Sequence, residues 1–278
     1  MAISKADFDY IRQLAYSQSA IVLEPGKEYL VDTRLTPLAE QAGFASLADY
    51  IGRLRSEIKV NGLHHRAIDA LTTNETFFFR DYHPFEALRR FILPELLAQR
   101  ADARRLAIWS AACSTGQEPY SVAMLLLEHF QQLADWDISI LATDLSPTVL
   151  KRSAEGRYSQ FEVNRGLPAN YLVKYFTKQG DDWCIKNEVK KMVEFRPMNL
   201  IQPWPVLPPF DLIFIRNVMI YFDVETKKNI LKKIGHCLLR HGCLFLGSAE
   251  TTTNLDPDYQ PVPYGKAVVY RLQPSRLA

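Results

Sequence analysis

Cysteine is scarce: Cys113, Cys184, Cys237 and Cys243 are the only four in 278 residues. No two form a CxxC pair, and the six histidines do not cluster at zinc-ligand spacing. A disulfide framework and a structural zinc site are therefore excluded, and four reduced thiols remain. Long apolar runs are also missing. Stretches such as Val122–Leu127 fall far short of the ~18–20 residues that cross a membrane. The opening MAISKADFDYIRQLAYSQSA places Asp7, Asp9 and Arg12 where a secretion signal needs an apolar run. The expectation is a cytoplasmic protein without membrane insertion. An excess of one charge is lacking too. Lys plus Arg number 33 and Asp plus Glu 31, a net charge of +2. That balance gives no footprint for nucleic acid and excludes an acidic, solvating chain. There are no internal repeats, no low-complexity tract, no metal-binding cluster and no GxGxxG fingerprint.

What is present is ordinary globular composition, with 47% apolar and 23% charged residues. The length suggests about two domains and a core that needs no staples. The first 70 residues read as helices only. Phe8, Ile11, Leu14 and Ala15 share one face. Tyr29, Leu30, Leu35 and Leu38 form a second stripe, which Pro37 bends or restarts. Ser46 and Asp49 open a third helix, with Leu47, Ile51, Leu54 and Ile58 on one side. From about residue 105 strands and helices alternate. Strands are expected at Arg105–Ser110, Ile138–Ala142, Val193–Arg196, Asp211–Ile215 and Cys243–Gly247. Helices are expected at Glu118–Phe130, Pro147–Ala154, Asn170–Phe176 and Val224–Leu239. Strands that are apolar throughout argue for a parallel sheet covered on both faces. The stretch KQGDDWCIKNEVKKMV breaks the rhythm and reads as a small antiparallel element. It has one turn at Gly180–Asp182 and another at Asn187–Glu188 leading into the strand at Val193.

Four stretches carry candidate chemistry. WSAACSTGQEPYS is a turn of small residues between strand and helix, where a ligand can approach the backbone. Glu118 at that helix start disfavours a pyrophosphate and suits a cationic or zwitterionic ligand. The same pattern also fits an ordinary tight connection. Asp144, after the strand ILATD, suits a ribose diol or a simple helix cap. Arg216, Asn217 and Tyr221 in FIRNVMIYF follow a strand end, where ligands of open α/β sheets bind. A turn asparagine and a packed tyrosine are the alternative. In TTNETFFFR, Asn74, Thr76 and Arg80 flank Phe77, Phe78 and Phe79. The phenylalanines read as packing between domains, and Arg80 needs a partner, most naturally a carboxylate.

Taken in order, TTNETFFFR, SAACSTGQEPYS, ATDLS, MNL and FIRNVMIYF resemble the CheR family of chemotaxis-receptor methyltransferases, from about Ile21 to Tyr270. The resemblance implies an all-helical N-terminal domain, residues 1–72, and a linker with a cofactor-contacting motif, 73–90. A Rossmann-like α/β S-adenosylmethionine-dependent methyltransferase domain follows at 91–278, with an antiparallel β subdomain at about 177–196. It implies methyl transfer from S-adenosylmethionine to glutamate side chains on cytoplasmic helices of chemoreceptors, leaving S-adenosylhomocysteine. Matched position by position, Asn74, Thr76 and Arg80 form the first cofactor-contacting motif. Glu118 faces the methionine end, and Asp144 binds the ribose. Asn199 and Leu200 lie beside the adenine, and Arg216 and Asn217 are the post-strand pair. Arg80 and Tyr221 position the substrate carboxylate.

Two departures from the family pattern bear on partners. The second N-terminal helix, RLTPLAEQAG, has Arg34 but no arginine-rich face, and residues 1–70 hold eight Lys/Arg against nine Asp/Glu. Arg53 and Arg55 on the next helix can substitute locally. Residues 151–200 hold ten Lys/Arg and six Asp/Glu. The β-subdomain loop KQGDDW is short, with only Gly180, so no receptor tethering peptide is expected. The protein is expected to act as a monomer. Two other readings remain open at this point: a methyltransferase of the same fold with another substrate, and a non-catalytic module that binds the cofactor and scaffolds partners.

Overall fold

The computed structural model describes residues 3–273. They fall into two compact units: 3–73 together with Tyr221–Thr226, and Asn74–Ile220 together with 227–273.

The first unit holds α1 (Lys5–Ser19), α2 (Glu28–Gln41), α3 (Leu47–Ser56) and α4 (Gly62–Leu71). Ser4 and Ser46 start α1 and α3 by accepting the backbone N–H of Asp7 and Asp49, three residues on. Phe8, Ile11, Leu14 and Ala15 are buried together, as their spacing requires. On α2 the buried face is Val31, Leu35 and Ala39, a four-residue repeat. The expected stripe of Tyr29, Leu30, Leu35 and Leu38 shares only Leu35 with it, and Tyr29 is 58% exposed. Pro37 lies inside α2 without ending it. Ile58 lies beyond the last residue of α3 and is fully exposed, so it does not join the face of Ile51 and Leu54.

The second unit begins with a helical stretch. It comprises α5 (His83–Ala87), a π-helical segment (Leu88–Ile92) and α6 (Leu93–Gln99). Then β1 (Arg105–Ala111), α7 (Gln117–His129), β2 (Asp137–Asp144) and α8 (Pro147–Glu155) follow. Next come β3 (Arg157–Ser159), α9 (Gln160–Asn164), α10 (Ala169–Tyr175), β4 (Phe176–Gln179) and β5 (Asp182–Ile185). The chain continues through α11 (Asn187–Lys190), β6 (Val193–Pro197), β7 (Phe210–Ile215), α12 (Val224–Cys237) and β8 (Leu238–Leu246). It closes with the hairpin β9 (Tyr259–Tyr264) and β10 (Ala267–Leu272).

The main sheet has seven strands in the order β6-β2-β1-β7-β8-β10-β9. The first five are parallel, and the terminal hairpin is antiparallel, so the sheet is mixed rather than wholly parallel. The central strands are buried on both faces. Phe214 and Phe245 stack across β7 and β8 with ring centroids 4.3 Å apart. Both outer strands contain proline. In β9, Pro261 and Pro263 stand opposite Tyr270 and Val268, and β6 ends at Pro197 opposite Asp144.

The smaller sheet is antiparallel, in the order β3-β5-β4. Its hairpin turns at Gly180–Asp181, between the paired Gln179 and Asp182. The strand at Val193 does not belong to it. It pairs with β2 at the edge of the main sheet, and the expected turn at Asn187–Glu188 is the helix α11. The third strand of the small sheet is instead β3, which precedes the hairpin. Phe78 joins this region by edge-to-face contacts with Tyr158 and Phe176. Phe78 and Phe79 thus belong to the core of the α/β unit itself and are not packing between domains.

Asp223 links sequence, capping and pH dependence in the helical unit. Its carboxylate accepts the Thr226 backbone N–H at 2.8 Å, which caps the start of α12, and the Tyr16 hydroxyl at 2.7 Å. The cap, and then Tyr16, hold its carboxyl below the usual range. A carboxyl depressed in the folded state stabilises above its unfolded pKa and loses that contribution as pH falls through the folded one. Asp223→Ala is therefore expected to cost about 1 kcal/mol at pH 7. The deficit should close as pH falls below about 4. Urea unfolding at two pH values measures this.

Candidate active site

The parallel register aligns the strand ends. Ala111 of β1 lies beside Thr143 of β2 and Ile215 of β7. The residues that follow these strands therefore share one edge of the sheet. After β1 the chain turns through Ala112, Ser114 and Gly116, at φ values of 55°, 51° and 90°. Left-handed backbone is costly at the first two positions, so the turn must be held by its neighbours. Ser114 N–H donates to Asp144 Oδ2 at 2.8 Å, and Ser114 Oγ to the Asn74 carbonyl at 2.9 Å. Ser153 Oγ and the Tyr158 hydroxyl donate to the carbonyls of Ser114 and Thr115. A Cβ on Gly116 would lie a tight 3.0 Å from Ser153 Cβ, and the left-handed φ itself favours glycine there.

Arg216 is the electrostatic centre of this edge. It follows β7, and its side chain is 1% exposed. Nη1 donates to Glu118 Oε2 at 2.9 Å. Nη2 donates to Asp81 Oδ2 at 2.8 Å and to the Arg80 carbonyl at 2.9 Å. Glu118 completes its shell by accepting Ser110 Oγ at 2.8 Å. One guanidinium thus serves two carboxylates, and with Asp144 nearby the edge is rich in acidic acceptors. Such a set suits a ligand with a cationic end and a diol, and disfavours a phosphate. Burial and the nearby carboxylates of Asp144 and Glu118 push the Cys113 thiol well above its usual range, so it stays protonated.

The remaining expected residues divide as follows. Asn74 and Thr76 line a cleft of about 410 Å³ together with Thr115, Gln117, Arg152 and Arg165. Asn199 follows β6 and accepts the Ile201 N–H through Oδ1. Leu200 is buried, and its carbonyl accepts Trp204 Nε1 and Lys233 Nζ. Asn217 is left-handed, with φ 59°. Arg80 Nη1 donates to the Glu75 carbonyl at 2.7 Å, and the guanidinium lies over Phe77. The expected carboxylate partner of Arg80 is absent among the described residues. Tyr221 groups with the helical unit, where its carbonyl accepts the Val22 N–H at 3.0 Å.

Sequence reasoning missed Glu250. Its Oε2 accepts the N–H groups of Asn217 and Gly247, and its Oε1 those of Val218 and Ile220. The signal was available: Glu250 closely follows β8, the neighbour of β7, at the same carboxyl edge. Asp81 was missed as well, because nothing local distinguishes it from a loop aspartate.

Comparison with known proteins identifies the scaffold. Residues 74–268 match the CheR methyltransferase, SAM binding domain, and residues 6–72 match the CheR methyltransferase, all-alpha domain. The chain belongs to the CheR methyltransferase family. It is 41% identical to chemotaxis protein methyltransferase 1 of Pseudomonas aeruginosa, over 98% of this chain and 99% of that protein. It is 39% identical to chemotaxis protein methyltransferase Cher2 of Pseudomonas putida, over 98% and 99%. This CheR-family protein is therefore an S-adenosylmethionine-dependent chemotaxis methyltransferase. Its acidic acceptors and left-handed turn fit that cofactor, which pairs a sulfonium and an ammonium with a ribose diol. Among the described residues no helix is long and apolar enough to cross a membrane.

Proposed function

We propose that this methyltransferase esterifies glutamate side chains on the cytoplasmic helices of chemoreceptors. The observation that carries the reading is Arg80. It is half-buried, fastened to a backbone carbonyl and an aromatic ring, and among the described residues it forms no ion pair with a carboxylate. A guanidinium with unused donors suits a carboxylate brought from outside.

A glutamate has an ordinary pKa near 4.3, so at pH 7 it is already ionised and needs no general base. When bound, the cofactor supplies a methyl group already activated on a sulfonium. The chain's task is then orientation, which can contribute on the order of 7–11 kcal/mol. In this reading Arg80 aligns the carboxylate, and Tyr221 adds a neutral donor that avoids over-stabilising the ground state. Asp144 takes the ribose diol and Glu118 the amino end of the cofactor. Asn74, Thr76, Asn199, Leu200, Arg216 and Asn217 complete its binding site.

The test is methyl transfer from radiolabelled S-adenosylmethionine to chemoreceptor-containing membranes. Wild type should give label that alkali releases, and Arg80→Ala should lose about 100-fold or more in kcat/KM. Full activity in Arg80→Ala would overturn the role of Arg80.

The two-residue turn at Gly180–Asp181 supports action without a receptor tethering peptide. A receptor C-terminal pentapeptide is expected to show no micromolar binding by calorimetry, and such binding would refute this. Proline in both outer strands of the main sheet supports a monomer that does not associate through sheet edges; a cytoplasmic location follows in this reading from the proposed substrate, the cytoplasmic helices of chemoreceptors.

A further inference from the structure

Phe77 is the member of its aromatic run that stays partly outside the core. Two guanidinium groups lie over its ring: Arg165 at 4.5 Å and Arg80 at 5.5 Å from the centroid. Arg165 is not a loosely placed surface arginine. Its neighbour Gly166 has φ 83°, and a Cβ there would lie 2.1 Å from the Phe78 carbonyl oxygen. The backbone carrying Arg165 is thus packed directly on the backbone that carries Phe77 and leads to Arg80. Arg165 also lines the cleft that holds Asn74 and Thr76.

The carboxylate on Arg165 is Glu75, at 2.5 Å. Arg165, and to a smaller extent Arg80, hold the Glu75 carboxyl below its usual range. The Glu75 side chain is 56% exposed. An exposed ion pair of this kind is weak and exchanges readily with other carboxylates. A glutamate carboxylate therefore rests on Arg165 at the edge of the cleft, next to the ring that also carries Arg80, and it is the same chemical group that the proposed reaction consumes.

We propose that Arg165 is a second receiving arginine for acidic side chains of the substrate helix, and that Glu75 is an internal stand-in that the incoming carboxylate displaces. The inference rests on the function proposed above. Arg165 acts in capture and registration of the substrate, whereas Arg80 aligns the reacting group. Both are fixed on one ring, so an acidic helix that engages Arg165 presents a neighbouring glutamate towards Arg80.

Initial rates on chemoreceptor-containing membranes test this, with receptor and S-adenosylmethionine varied separately. Arg165→Ala should raise KM for receptor about tenfold, with KM for S-adenosylmethionine and the melting temperature unchanged. Arg165→Lys should recover part of the loss, because the charge is kept. Glu75→Gln should lower KM for receptor about two- to fivefold by removing the internal competitor. Unchanged receptor KM in Arg165→Ala overturns the inference. So does a Glu75→Gln variant whose receptor KM rises with that of Arg165→Ala, since the pair would then be a structural brace. Absence of alkali-labile label from wild type overturns the proposed function, and this inference with it, before any variant is compared.

Discussion

Replacing Arg216 with methionine should destabilise the α/β unit by about 3–5 kcal/mol at pH 7. The side chain is 1% exposed and joins Glu118, Asp81 and the Arg80 carbonyl. Methionine of similar bulk fills the space but leaves two carboxylates facing one another without a cation. A lysine should not rescue fully, because one ammonium cannot reproduce the fork that reaches three acceptors. Removing the carboxylates as well separates this cause from simple loss of packing. Adding Glu118→Gln and Asp81→Asn to Arg216→Met should recover part of the loss, because no unpaired charge then remains. Urea midpoints at pH 7 would show it. No recovery would mean that the lost contacts are apolar.

Glu250→Ala should have the second large effect. Four backbone N–H groups lose their acceptor at once, those of Asn217, Val218, Ile220 and Gly247. Hydrogen bonds to a charged group are worth about 1.5–3 kcal/mol each, but water can reach part of this loop. We expect a loss near 3 kcal/mol in stability. The effect on methyl transfer should be larger than stability predicts. Asn217 has a left-handed φ of 59° with its N–H held by Glu250, and removing that acceptor should let the segment sample other conformations. Glu250→Gln should fall between, since its amide can accept at one oxygen and must turn donors towards the other pair. Chemical denaturation together with kcat/KM below the unfolding range would measure both. Equal losses in Gln and Ala variants would show that the charge, not the acceptor geometry, matters.

How legible the molecule was depended on how local each signal is. The central strands could be read because an unbroken apolar run such as Leu212–Ile215 has no stable place except inside a sheet covered on both faces. The helix starts at Ser46 and Ser146 could be read because a side-chain cap acts within three residues. The face of α2 was misjudged because Tyr29 and Leu30 look apolar, while packing selected Val31, Leu35 and Ala39. The hairpin β9–β10 escaped notice because YQPVPY argues against a strand unless that strand is at an edge. β3 spans only three residues and shows no periodicity at all. At the candidate site, Glu118, Asp144 and Arg216 were singled out from their places after strands and at a helix start, and the structure places them at one edge of the sheet. That Glu118 and Arg216, 98 positions apart in sequence, are joined could not be read locally. Nor could the four donors gathered by Glu250.

The prolines of β9 have a consequence beyond this molecule's own packing. Backbone donors alternate sides along a strand, so Pro261 and Pro263, two residues apart, face the same way. Since β10 occupies one side, the missing N–H groups lie on the other, where a further strand would have to bond. A passing chain therefore finds a ladder with absent rungs. Substituting both prolines with valine would keep the fold's interior as it is while opening a hydrogen-bonding template for fibril growth. The two prolines thus blunt this edge against pairing with a second copy, and their loss should show in colloidal behaviour before it shows in any rate of methyl transfer.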